Sequence, residues 1–159
     1  MENTKPTAGA ESDLTLVITR SFDAPRERVF DAWLDPAQIA RWIGPRSIRA
    51  EALESSPKVG GTYRIHMRGT DGSDGPIVSG IYREIVRPER LVFTWAWETA
   101  HSQGMPGDET VVTLTFRERG GRTEMTLRHE GFAAKESRDS HDRGWNGSFD
   151  KLAEILAAS

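Results

Sequence analysis

Near both ends of the chain apolar residues recur every third or fourth position, whereas through its middle they alternate with polar ones. "LTLVITRSF" (Leu14 to Phe22) alternates in part and is rich in β-branched residues, which predicts a strand. In "DAPRERVFDAWL", Val29, Phe30, Trp33 and Leu34 fall at helical spacing, with Asp23 as N-cap and Pro25 in the first turn. A second short helix starts at Asp35-Pro36, buries Ile39 and Trp42, and stops at "GPR", where Gly44 terminates it and Pro45 cannot continue it.

From Ser47 the period becomes two. "SIRAEALE", "GTYRIHMRG", "IVSGIYREIV", "RLVFTWAWE", "TVVTLTFRE" and "RTEMTLRHE" are six strands separated by turn residues such as "GG", "DGSDGP", "RPER" and "RGGR". Short links make them antiparallel hairpins. One face carries Tyr63, Ile65 and Met67, then Tyr82 beside Gly80, Phe93, Trp95 and Trp97, Val112, Leu114 and Phe116, and Met125, Leu127 and His129. The long link from Glu98 to Glu109 reads as a mobile lid. The last segment, from Lys135, sets Trp145, Phe149, Leu152 and Leu156 on one helical stripe and leaves Asp142, Lys151 and Glu154 for solvent. Gly144 and Gly147 inside that helix each cost about 1 kcal/mol relative to Ala, so close approach of a strand or a ligand is expected there.

An α+β domain follows: strand, two short helices, six antiparallel strands, long helix. The apolar sheet face and the apolar helix stripe must cover each other. A strongly curved sheet does not lie flush on a cylinder along its whole length, so a cavity is expected beneath the helix. Trp42, Tyr63, Met67, Tyr82, Phe93, Trp95, Trp97, Phe132, Trp145 and Phe149 are candidates for its lining, and packed core is the other reading of the same aromatics. Trp33, Phe30 and Phe22 read as ordinary packing of the first helix on the sheet. Residues 1–12 form a solvated tail and 13–159 one domain.

Composition narrows the function. With 36% hydrophobic and 28% charged residues the chain suits a soluble globular protein; no apolar run is long enough for a membrane span and no signal peptide is evident, which places it in the cytoplasm. A net charge of -3 gives nucleic acid no electrostatic reason to bind. Without cysteine there is no disulfide, thiol nucleophile or cysteine metal site. His66, His101, His129 and His141 show no metal-ligand spacing, so neither metal nor cofactor is expected. His66 reads as a solvated strand residue, and His101 and His141 as exposed. His129 continues the apolar face of its strand: it is either a buried, hydrogen-bonded histidine or the polar contact of the pocket. No hydrolase elbow, phosphate loop or paired carboxylate stands out, and no catalytic residue is assigned.

"ITRSFDAPRERVFDAWLDP" with "RWIGP", then "VGGTYRIHMR", "GIYREIVRPERLVFTW", "TVVTLTF", "HEGF" and "GWNGSFDKLAEIL" together resemble the bacterial START-like (SRPBCC) proteins related to the activator of heat shock protein 90 ATPase, over nearly the whole chain. The resemblance implies a β-α-α-β6-α helix-grip fold whose pocket takes lipid-like, aromatic or polyketide-like molecules. Non-catalytic binding of a small hydrophobic ligand is the leading expectation. A polyketide cyclase or aromatase using His129 with Tyr63 or Tyr82 is an alternative, and an interaction module for a chaperone or stress partner is another. The tail is far too short to supply the additional N-terminal chaperone-binding domain of the eukaryotic activators.

Overall fold

A computed structural model describes residues 14–98 and 109–157; the tail at 1–12, His101 and most of the expected lid lie outside the described residues. The chain runs β1 (Thr15–Phe22), α1 (Arg26–Leu34), α2 (Pro36–Trp42), β2 (Ile48–Ser55), β3 (Thr62–Gly69), β4 (Asp74–Val86), β5 (Arg90–Trp97), β6 (Glu109–Arg119), β7 (Arg122–Glu130) and α3 (Lys135–Ala157). All strands join one antiparallel sheet in the order β1-β7-β6-β5-β4-β3-β2. Strands β2 to β7 pair with their chain neighbours, while β1 lies at the opposite edge from β2. The two short helices therefore carry the chain from one edge of the sheet to the other.

Period-two alternation places the core. Ile18, Leu127, Leu114 and Leu91 face one another in register across β1, β7, β6 and β5, and all are buried. Trp145, Phe149, Leu152 and Leu156 form the buried stripe of α3. Register shifts in β2/β3, β3/β4 and β4/β5 bend the other half of the sheet, because an extra residue on one strand kinks it locally. The gap beneath the helix opens on that bent side.

Two boundaries differ from the sequence reading. Pro25, not Asp23, precedes the first turn of α1, with no side-chain cap; Asp23 lies 3.8 Å from Arg122 instead. Strand β4 begins at Asp74, so part of "DGSDGP" is strand, and the irregular pairing of β3 and β4 near Met67 accommodates it. Elsewhere the expected signals operate: the Asp35 carboxylate accepts from the Ala37 N–H and Pro36 opens α2. The outer face carries ion pairs such as Arg64 with Glu98 and Arg90 with Glu84, a charge-mixed surface.

Candidate functional site

A cavity of about 280 Å³ lies between the first half of α3 and the bent side of the sheet. Met67 of β3 and Trp95 and Trp97 of β5 form its floor, because alternate strand positions share a face. His141, Gly144, Trp145 and Ser148 form its roof, since residues three or four apart share a helix face. One side of the mouth is Ile43, Gly44, Pro45 and Ile48; the other is Asp74, Gly75 and Pro76.

The first of these rims is pinned to α3. Gly44 takes a φ of +87°, which turns the chain out of α2 and lays Pro45 against the helix. A Cβ at Gly147 would sit 3.0 Å from Pro45 Cα, so this glycine permits a close approach of a loop rather than of a strand. Lys151 is half-buried, not solvent-facing, and its Nζ donates to the carbonyl oxygens of Ile43, Pro45 and Ile48 at 3.3–3.4 Å. Burial, with Arg46 nearby, lowers its pKa from the usual lysine value. Gly144 differs from Gly147: a Cβ there would meet nothing within 4 Å, because the cavity lies below it. Gly144→Ala is therefore expected to stabilise the protein by about 0.5–1 kcal/mol through helix propensity, and Gly147→Ala to fall short of that gain or lose stability. Urea unfolding of the two variants checks this; equal gains would remove the close contact at Pro45.

The polar groups of the cavity are bonded to one another. The indole N–H groups of Trp97 and Trp95 donate to His141 Nε2 at 2.9 and 3.3 Å. His141 Nδ1 lies 2.7 Å from the Ser137 carbonyl oxygen and must donate to it, which fixes the tautomer. The exposure expected for His141 is thus overturned: it lies one turn before Trp145 on the buried stripe, so it was accessible to the same periodicity argument. His129 is fully buried at the end of β7. The Trp145 N–H donates to its Nδ1 at 3.1 Å, its Nε2–H donates to Thr110 Oγ1 at 2.7 Å, and that hydroxyl donates to the Trp95 carbonyl at 2.9 Å. Burial pushes both imidazoles below the ordinary histidine pKa, far below for His129.

The candidate residues fall into three places. Met67, Trp95, Trp97 and Trp145 line the cavity beneath α3. Trp42, Tyr63, Tyr82 and Phe93 surround a separate void of about 30 Å³, room for roughly one water molecule. His129, Phe132 and Phe149 line neither of these spaces. Phe132 packs on His129 and His141 at ring separations of 4.4 and 4.9 Å, and Phe149 is enclosed by Trp33, Trp42 and Trp145. A side chain at Gly80 would collide with the Thr94 carbonyl and the Tyr63 ring, since the Tyr63 hydroxyl crosses this position to donate to the Thr94 carbonyl at 2.5 Å. Tyr82 Oη lies 3.3 Å from Ser55 Oγ, and burial raises both phenol pKa values, so both remain protonated at neutral pH. The rims at Ile43–Ile48 and Asp74–Pro76 carried no sequence signal beyond turn residues. Among the described residues no group of three or more His, Asp or Glu side chains is arranged to hold a metal.

A curved antiparallel sheet closed around a C-terminal helix, with a cavity between them, defines a START-like helix-grip domain. The family model described as "Activator of Hsp90 ATPase homolog 1-like protein" matches residues 23–157, and the chain belongs to that family. A crystallised protein of Chromobacterium violaceum is 27% identical, with a TM-score of 0.80 over 89% of this chain and 96% of its own. The AHSA1 protein of Silicibacter pomeroyi is also 27% identical, with a TM-score of 0.77 over 91% of this chain and 98% of its own. An Arthrobacter aurescens protein solved by NMR is 27% identical, with a TM-score of 0.79 over 93% of this chain and 88% of its own. No curated protein matches the chain in sequence.

Proposed function

We propose that this domain binds a small, compact, largely aromatic molecule in the cavity beneath α3 and releases it unchanged. The observation that carries this reading is a cavity of about 280 Å³ walled by Met67, Trp95, Trp97 and Trp145, near the lower end of small-molecule sites. A 150 Å³ hydrocarbon cavity takes benzene, so this one takes roughly ten to twelve non-hydrogen atoms, which favours a ring with a short arm over a lipid acyl chain.

A carrier fits the polar groups better than a cyclase does. Both nitrogens of His141 are occupied by indole and carbonyl partners, which leaves no free base above the ligand. His129 does not line the cavity, and Tyr63 and Tyr82 border the smaller void. The three groups proposed for acid–base work therefore do not converge on one substrate position. A cytoplasmic carrier is the matching setting; no helix among the described residues is long and apolar enough to cross a membrane.

Gly144→Leu tests the site directly, because the new side chain enters the open space under residue 144. It is expected to keep or raise thermal stability while weakening an environment-sensitive apolar dye at least about tenfold, the loss of roughly 1.4 kcal/mol of binding. Unchanged dye affinity in a folded Gly144→Leu protein places the binding site elsewhere.

A further inference from the structure

We infer that the cavity takes an organic cation, an aryl-alkyl amine whose ring lies among Trp95, Trp97 and Trp145 and whose ammonium group sits at the rim toward Asp74. This deepens the proposed function and rests on it. The argument comes from which hydrogen-bonding capacities remain unused. Every side-chain donor lining the cavity is already engaged: the three indole N–H groups on His141 and His129, His141 Nδ1–H on Ser137, and the Ser148 hydroxyl on the Gly144 carbonyl at 3.0 Å. The side-chain capacity left is acceptor only, namely the lone pairs of Ser148 Oγ, the Asp74 carboxylate and the indole π faces.

The charges around the mouth point the same way. Lys151 is held on three carbonyls, Arg46 by Glu154, and Arg68 by Glu51, so none of these cations is left without a partner for an anionic ligand. Asp74 is 73% exposed, with His66 Nε2 at 3.8 Å and the Arg68 guanidinium, itself bonded to Glu51, as charged neighbours among the described residues. A carboxylate ligand would meet a carboxylate and no free side-chain donor. An ammonium at the rim keeps part of its hydration, which avoids the cost of burying a charge, and gains Asp74 and the edge of an indole-lined space.

Isothermal titration of the full chain at low salt with phenethylamine, neutral 2-phenylethanol and anionic phenylacetate separates the readings. The amine is expected to bind about tenfold or more tighter than phenylacetate. Asp74→Asn is expected to weaken the amine about two- to fivefold, as befits an exposed ion pair, and to leave the alcohol unchanged. Added salt should narrow the same gap. Phenylacetate binding as tightly as the amine, or an amine-to-alcohol ratio untouched by Asp74→Asn, overturns the inference while the cavity stands. If none of the three binds and Gly144→Leu leaves dye affinity intact, the cavity reading itself fails and takes the inference with it.

Discussion

Phe149→Ala should cost about 3–5 kcal/mol of stability while leaving ligand or dye affinity within about twofold of the parent protein. Its ring is fully buried, stacks on Trp145 at 5.7 Å, and meets the edges of Trp33 and the tilted face of Trp42 at 6.0 and 6.4 Å. It borders neither cavity. Truncation therefore opens a hole where none exists, and the surrounding rings, fixed by one another, collapse into it only in part. Trp145 lies one turn away but has the cavity on one side, so Trp145→Ala enlarges existing space and loses fewer dispersion contacts per atom removed. It also leaves His129 Nδ1 without its donor. Urea unfolding at pH 7.5, paired with dye titration, reads both quantities: Trp145→Ala should change dye affinity and Phe149→Ala should not. A small stability loss with altered dye binding in Phe149→Ala would make that ring a cavity wall.

These two residues also show how far sequence reasoning reaches. Their four-residue spacing put both correctly on the buried stripe of α3, and the alternation of Tyr63, Ile65 and Met67 put three side chains correctly on the inner face of β3. Periodicity says which face is covered. It does not say whether the covering group is protein or an empty space, because that depends on how far the opposing element lies from it. Here the distance is set by irregularities in β2 to β4 and by contacts between residues about a hundred positions apart, such as Lys151 with the Ile43 carbonyl. Gly144 and Gly147 were alike on paper, and only the position of Pro45 distinguishes the packed one from the one above the cavity. His141 was legible: four residues before Trp145, it shares the apolar stripe, but a histidine near a helix start reads first as solvated. Asp74, at the start of β4, was hidden by its neighbours, since "DGSDGP" has turn composition throughout.

The second large effect is on stability in mild acid. His129 and His141 are neutral in the folded protein, both held below the ordinary value of 6.5 first by burial; for His129 the nearby His141 adds to the lowering. The unfolded chain binds protons on both rings as the pH falls through 6.5 while the folded chain does not, so unfolding becomes more favourable. Their stabilising contribution is complete above pH 6.5 and is lost as the pH falls toward the folded-state values, at up to about 1.4 kcal/mol per pH unit for each ring. Carboxylates held below their usual range by arginines, such as Asp31 with Arg87 and Glu51 with Arg68, act through the same linkage only at lower pH. The interval from pH 6.5 to 5 thus isolates the histidines. Urea unfolding across that interval should show a steep fall, and His129→Gln should remove up to about 1.4 kcal/mol per pH unit of the slope whatever its effect on absolute stability. Protonated His141 would point an N–H at the indole N–H groups of Trp95 and Trp97, so the tryptophan emission of the folded protein should stay unchanged from pH 6.5 to 5 and shift only on unfolding. A flat stability profile from pH 6.5 to 5 would mean that the rings take up protons without leaving their sites, and would overturn the hydrogen-bond directions assigned to both.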